Sequence, residues 1–265
     1  MALTEKLTIT HIELTTTKPE IAIREFRTAA EAAKAAAQTI LTTVIHNPEA
    51  RIMFPTGNTQ IPIYEELVLL AQDTQVDFSK IHAFQLDEYV GVTPEDKESF
   101  TGFLRTRVYD PLHIPHQQRH EIHGMAPDVE IEAKRYNDEI KKQPIDLVIL
   151  GIGPNGHIGF NEPNTPFESE THIATLTQDT LSRDQDRGQQ LHTHAYTAGI
   201  ANILEAKQIL IVGFGKNKGE LFDKAFNASP SIACPASALQ NVSHRVTAIM
   251  DTPAAAVVHA GKQNK

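Results

Sequence analysis

The sequence has a single cysteine, Cys234, among its 265 residues, which excludes an intramolecular disulfide and a cysteine-cluster metal site. Its 24 basic residues are outnumbered by 33 acidic ones, a formal charge of −9, so it lacks the basic face of a general nucleic-acid binder. A small anion can still be held by a few local donors. Long apolar runs are missing too. Nothing approaches the ~18 residues of a membrane span, and MALTEKLTITHIEL has neither the basic start nor the apolar core of a signal peptide. We expect no membrane association and a reducing cytoplasm. There is no repeat, no low-complexity linker and no HExxH metal motif.

What is present is an ordinary globular composition, 40% apolar and 22% charged, in a length that large α/β folds often use as one domain. We expect a single domain over residues 1–265. Leu7 to Leu14 alternates and predicts a first strand. From Pro19, the spacing of Ile23, Phe26, Ala30, Ala33, Ala37, Ile40 and Leu41 predicts a long helix ending at Asn47-Pro48. Strands are expected at 51–54, 81–86, 145–150, 173–176, 194–197, 209–212 and 246–250. Helices are expected after Pro55-Thr56-Gly57-Asn58-Thr59, from Ser99, from Asp128 and from Lys216. Asp87-Glu88-Tyr89 reads as a loop, 111–127 as a proline-broken connection with room for one short strand, and 177–190 as a mobile polar lid. Strands alternating with helices predict an α/β fold, a largely parallel open sheet covered on both faces, with ligand sites at the strands' carboxyl ends. The motifs at Pro55, Asp87, Gly151 and Gly213 all follow predicted strands, so they are expected to converge on one edge.

The densest stretch is Leu150 to Pro163, LGIGPNGHIGFNEP. Gly151-x-Gly153-x-x-Gly156 matches a dinucleotide turn, but Pro163 and Pro166 interrupt the helix that such a turn must open. The glycines are better read as room for a sharp turn and a substrate. His157 suits proton transfer near neutrality, with Asn155 and Glu162 in reach to orient it, although a histidine bonded to loop backbone would look the same. Asp87 and Glu88 point oppositely if extended, so one can face a site while the other does not. Gly57, Asn58 and Thr59 offer backbone N–H groups and hydroxyls to an anion, and Lys216 offers an ammonium, but Gly213 to Gly219 lacks the Lys-Ser/Thr of a P-loop, which argues against nucleotide hydrolysis. The pairs His113/His116, His120/His123 and His192/His194 read as exposed loop histidines rather than metal ligands.

Taken together, PTGNT at 55–59, FQLDEYVG at 84–91, ESF at 98–100, GIGPNGHIGFNEP at 151–163, TPFESETH at 165–172, VGFGK at 212–216 and PASALQ at 235–240 resemble the glucosamine-6-phosphate deaminase family, related in fold to 6-phosphogluconolactonases. The resemblance implies a Rossmann-like fold and an aldose-to-ketose isomerisation coupled to loss of ammonia. It implies that His157 opens the sugar ring with Asn155 and Glu162 in support, that Asp87 moves the C2 proton to C1, and that Gly57, Asn58, Thr59 and Lys216 hold the 6-phosphate. No metal or organic cofactor is implied. The expected partner is a hexosamine 6-phosphate, and the expected state of the protein is a monomer or small homo-oligomer. Related readings are the galacto epimer as substrate, or a sugar-phosphate-binding regulator without turnover. Against the regulator, no basic helix-turn-helix candidate precedes the first strand, and Asp87, His157 and Glu162 are all kept.

Three departures stand out. Some family members carry Asp at the position of Asn155. The lid arginine has only Arg183 or Arg187 as counterparts, and the later Gly-x-Gly-Thr is Gly199-Ile-Ala-Asn202 here. Basic residues expected near His172 and Ala174 in allosterically activated members are absent, so strong activation by N-acetylglucosamine 6-phosphate is not expected.

Overall fold

A computed structural model describes residues 20–178, 180–181 and 192–263. The strand expected at Leu7 to Leu14, Pro19, and most of the lid segment with Arg183 and Arg187 lie outside them. Among the described residues, the strands β1 (Ala22–Phe26), β2 (Arg51–Phe54), β3 (His82–Gln85), β5 (Arg119–His120), β6 (Leu147–Leu150), β9 (Gln208–Gly213) and β10 (Val246–Asp251) form one parallel sheet. Its order is β1-β10-β9-β6-β2-β3-β5.

The inner strands read as nearly unbroken apolar runs because both of their faces are buried. Alternate side chains feed two cores. Met53, Phe84, Val148, Leu150, Ile209, Ile211 and Met250 pack on one face with Tyr136 of α4 (Val129–Lys141). Ile52, Phe54, Ala83, Leu147, Ile149, Leu210 and Val212 pack on the other, against α1 (Ala29–His46) and α2 (Ile61–Thr74). The period of two along each strand therefore builds a three-layer fold.

The amino-terminal expectation is corrected. Ile23 and Phe26 lie in strand β1, and helix α1 starts only at Ala29, where Thr28 Oγ1 accepts Glu31 N at 3.2 Å. The spacing of Ile23 and Phe26 does not tell strand from helix over so few residues, whereas Thr28-x-x-Glu31 is a start signal for a helix. Asp87–Tyr89 is also corrected from loop to strand: as β4 it pairs antiparallel with β8 (His194–Thr197), which pairs with β7 (His172–Thr175) in a second, three-stranded sheet. Helices not expected from sequence occur at Ile200–Leu204 (α5), at Pro235–Arg245 as a 3-10 segment, and at Thr252–Gln263 (α7). The helix expected from Lys216 is Lys216–Asn227 (α6). No helix among the described residues is long and apolar enough to cross a membrane.

Candidate active site

The loops after β2, β3, β6 and β9 leave the same carboxyl edge of the parallel sheet, as the sequence leads one to expect. Asp87 stands one residue beyond Leu86, where β3 passes into β4. Leu86 bridges the two sheets, donating its N–H to Phe54 O at 3.1 Å and accepting Ala198 N at 2.9 Å.

Asp87 and Glu88 are both buried, but their surroundings differ. Glu88 accepts Gln85 Nε2 (3.2 Å), Tyr89 N (2.9 Å), Ser99 Oγ (3.0 Å), Phe100 N (3.0 Å) and Thr101 N (2.8 Å). It thereby fastens β4 to the start of α3 (Phe100–Leu104) and is a structural carboxylate. Asp87 points the other way. Burial first, and the Glu88 charge second, push its carboxyl well above the usual carboxylate range.

The central loop reaches Asp87 through Gly159. This residue has φ +58°, and a Cβ there would lie 2.7 Å from Thr197 Oγ1 and 3.5 Å from Asp87 Oδ2. Thr197 is the register partner of Asp87 and accepts Phe160 N at 3.1 Å, while buried Asn161 donates to Ile158 O (2.8 Å) and Ala198 O (2.9 Å). The 151–163 loop is thus tied beside the carboxylate.

No helix opens at Gly151-x-Gly153-x-x-Gly156, in accord with the case against a dinucleotide turn. A Cβ on Gly153 would stand 2.0 Å from His157 Nε2, so that glycine is the floor on which the imidazole lies, and Gly156 turns at φ +85° against Cys234. His157 Nδ1 faces Glu162 Oε2 at 3.5 Å, a charge contact too long to be a good hydrogen bond, and has no hydrogen-bond partner. Glu162 accepts Asn155 Nδ2 (2.6 Å), Thr177 Oγ1 (3.1 Å) and Thr180 Oγ1 (2.5 Å). Burial would raise its carboxyl, but the nearby His157 imidazole and the hydrogen bonds from Thr180 and Asn155 outweigh it and hold the pKa at about 2. Since this lies below the ordinary value of 4.5, the group stabilises the fold fully above that pH. That contribution is lost as pH falls towards the folded value. Asn155 Oδ1 accepts His157 N at 3.2 Å, so this amide links both members of the pair.

The 55–59 loop and the start of α6 are more open. Tyr64 OH bonds Pro55 O at 2.6 Å and anchors the 55–59 loop, Gly57 turns at φ +107°, Asn58 is exposed and Thr59 half-buried, and α2 starts just beyond. Lys216 is exposed at the start of α6, behind Gly215, whose N–H is held by Asp251 at 2.8 Å. Lys218 was missed in the sequence. It is half-buried and its Nζ donates to Ile152 O in the central loop. The signal was available in Gly-Lys-Asn-Lys-Gly, because side chains in a first helical turn lean towards the N-terminus.

Of the histidine pairs, His113, His116, His123 and His194 are exposed as expected, but two are corrected: His120, in strand β5, is half-buried with its Nε2 3.0 Å from His82 Nδ1, and His192 is buried and stacks on Tyr89 at 4.8 Å between centroids. Among the described residues no group of three or more His, Cys, Asp or Glu side chains is placed to hold a metal ion.

A buried carboxyl with a raised pKa, a histidine–glutamate pair and two helix starts thus gather at the carboxyl edge of one parallel sheet, where α/β folds bind their ligands. A family model described as glucosamine-6-phosphate isomerases/6-phosphogluconolactonase matches residues 24–248, and the chain belongs to that family. Glucosamine-6-phosphate deaminases of Bacillus thuringiensis and Bacillus anthracis are each 42% identical over 202 residues, 75% of this chain and 74% of theirs. A solved monomeric glucosamine-6-phosphate deaminase superposes with a TM-score of 0.86 at 33% identity, over 89% of this chain and all of that one. A 6-phosphogluconolactonase from Trypanosoma cruzi shares the fold, with a TM-score of 0.72 at 17% identity over 91% and 97% of the two chains.

Proposed function

We propose that this chain is a glucosamine-6-phosphate deaminase, converting glucosamine 6-phosphate and water to fructose 6-phosphate and ammonia. The observation that carries the reading is the pairing of two proton-handling groups in unlike surroundings beside one loop. Asp87 is buried with a raised pKa, and Glu162 is held as a carboxylate facing His157. Two such groups divide the chemistry.

His157 moves a proton between the ring oxygen and the anomeric hydroxyl, opening the sugar. Glu162 faces the imidazole and Asn155 orients both. Asp87 takes the C2 proton of the open aldose form, leaving an enolamine, and returns a proton to C1. The resulting C2 imine adds water and expels ammonia. Gly57, Asn58, Thr59, Lys216 and Lys218 hold the 6-phosphate at two helix starts, so that binding at the remote end aligns C1 and C2 with Asp87. The enzyme works as a single domain in the cytoplasm, as a monomer or small homo-oligomer.

The test is ammonia release from the two epimeric hexosamine 6-phosphates. Turnover of the gluco epimer in preference to the galacto epimer is the expected result. No ammonia from either removes the assignment, and preference for the galacto epimer moves it to galactosamine 6-phosphate. The substrate curve is expected to be hyperbolic and to stay so when N-acetylglucosamine 6-phosphate is added. A sigmoidal curve made hyperbolic by that compound would contradict the expectation drawn from β7.

A further inference from the structure

Gln60 has no role so far, yet its side chain is the odd one in the site. It is 1% exposed and precedes α2 in the N-cap position, but makes no side-chain capping bond. The backbone there is already satisfied, with Gln60 N donating to Gly57 O at 3.0 Å and its carbonyl accepting Tyr64 N at 2.9 Å. The carboxamide instead extends towards the central loop, where a Cβ on Gly151 would lie 3.4 Å from Nε2. Oε1 is buried and has no hydrogen-bond partner. A buried polar atom left unpaired costs stability, and such atoms are uncommon enough to call for a reason.

The location supplies one. Gln60 directly follows Gly57, Asn58 and Thr59, and its amide lies against the turn whose next residue, Ile152, is bonded by Lys218. It therefore sits between the loop offered to the phosphate and the loop that carries His157. A phosphate dianion only accepts hydrogen bonds and would leave Oε1 unpaired. A sugar hydroxyl both donates and accepts, so it satisfies either end of the amide.

We propose that Gln60 is a specificity-determining residue whose carboxamide hydrogen-bonds a hydroxyl of the bound hexosamine 6-phosphate. This rests on the deaminase reading above. The fold leaves Oε1 unpaired until substrate arrives, and a sugar phosphate lacking that hydroxyl would leave it buried and unpaired again.

The experiment compares the wild type with Gln60→Leu and Gln60→Met, measuring kcat/KM for glucosamine 6-phosphate, the inhibition constant of inorganic phosphate, and Tm. Both variants are expected to lose about 10- to 100-fold in kcat/KM, with phosphate inhibition unchanged and Tm equal or higher. The 3-deoxy and 4-deoxy analogues add the decisive comparison: one of them should be a poor substrate for the wild type yet lose little further in Gln60→Leu. Unchanged kcat/KM, or a fall in Tm that accounts for the lost activity, would overturn the proposal. Weakened phosphate inhibition in step with kcat/KM would overturn it too, by assigning the amide to the phosphate. A wild type that releases no ammonia would instead fail the deaminase reading, and calorimetric binding of glucosamine 6-phosphate to wild type and Gln60→Leu then decides the role of Gln60 by the same fold-change.

Discussion

Asp87→Asn is expected to lower kcat by about 10²–10⁴-fold while making the protein more stable at neutral pH. The first effect follows from removing the only group assigned to carry a proton between C2 and C1, with an amide of nearly the same shape in its place. The second follows from linkage. Burial and the Glu88 charge raise the folded Asp87 carboxyl well above its ordinary value of 3.8. Below that value both folded and unfolded chains hold the proton, and the group contributes nothing to the pH dependence. Above it the unfolded chain ionises freely while the folded chain does not, so the residue destabilises the fold increasingly up to the folded pKa. The gain in Tm should therefore be absent near pH 3.5, grow as the pH rises and level off once the folded carboxyl ionises, by about 2–4 °C for each kcal/mol. Equal Tm values for wild type and variant at pH 7.5 would mean that Asp87 is not the strained carboxylate described. The same raised pKa predicts that kcat/KM falls on the acid side at a pH above the ordinary carboxylate range.

His157→Gln is expected to cost a comparable 10²–10⁴-fold or so in turnover of the cyclic substrate, because glutamine keeps a polar group over Gly153 but cannot exchange a proton. The loss should be selective. Ring opening is the step assigned to His157, and the C2-to-C1 transfer is not. Exchange of the C1 proton of fructose 6-phosphate with solvent in the presence of ammonia starts from the ketose side and ends at the open chain. It should survive in His157→Gln far better than net deamination does. Asp87→Asn should abolish both. If His157→Gln lost exchange and deamination equally, the division of labour between the two loops would be wrong. Structurally the variant should be mild, since His157 Nδ1 makes a 3.5 Å contact with Glu162 and no hydrogen bond. Glu162 retains its bonds from Asn155, Thr177 and Thr180.

Much of this was legible in the chain because its parallel strands are buried on both faces and announce themselves as apolar runs, with site loops at their ends. Thr28-x-x-Glu31 was a helix start that the spacing of Ile23 and Phe26 obscured. The three-residue strand Asp87–Tyr89 could not be read locally, because its partner is Ala195–Thr197 and only the folded chain brings the two together. That pairing also explains why Asp87 and Glu88, alike in sequence, become unlike: an extended backbone turns one into the hydrogen-bonded core of the Ser99 to Thr101 segment and the other towards Gly159. The clamp on Glu162 was hidden for the same reason. Thr177 and Thr180 lie in a polar stretch that resembled a free lid, yet the fold returns their hydroxyls to the carboxylate. Lys218 was overlooked beside Lys216, and Gln60 carried no signal beyond its place after Thr59.

The most direct measurement follows a deuterium label placed at C2 of glucosamine 6-phosphate. The account predicts a primary isotope effect on kcat/KM, fructose 6-phosphate formed in step with ammonia, and the label gone from C2, recovered at C1 or in solvent. An aldose 6-phosphate product that still carries deuterium at C2 would show that ammonia leaves without deprotonation of that carbon, and would contradict the role given to Asp87.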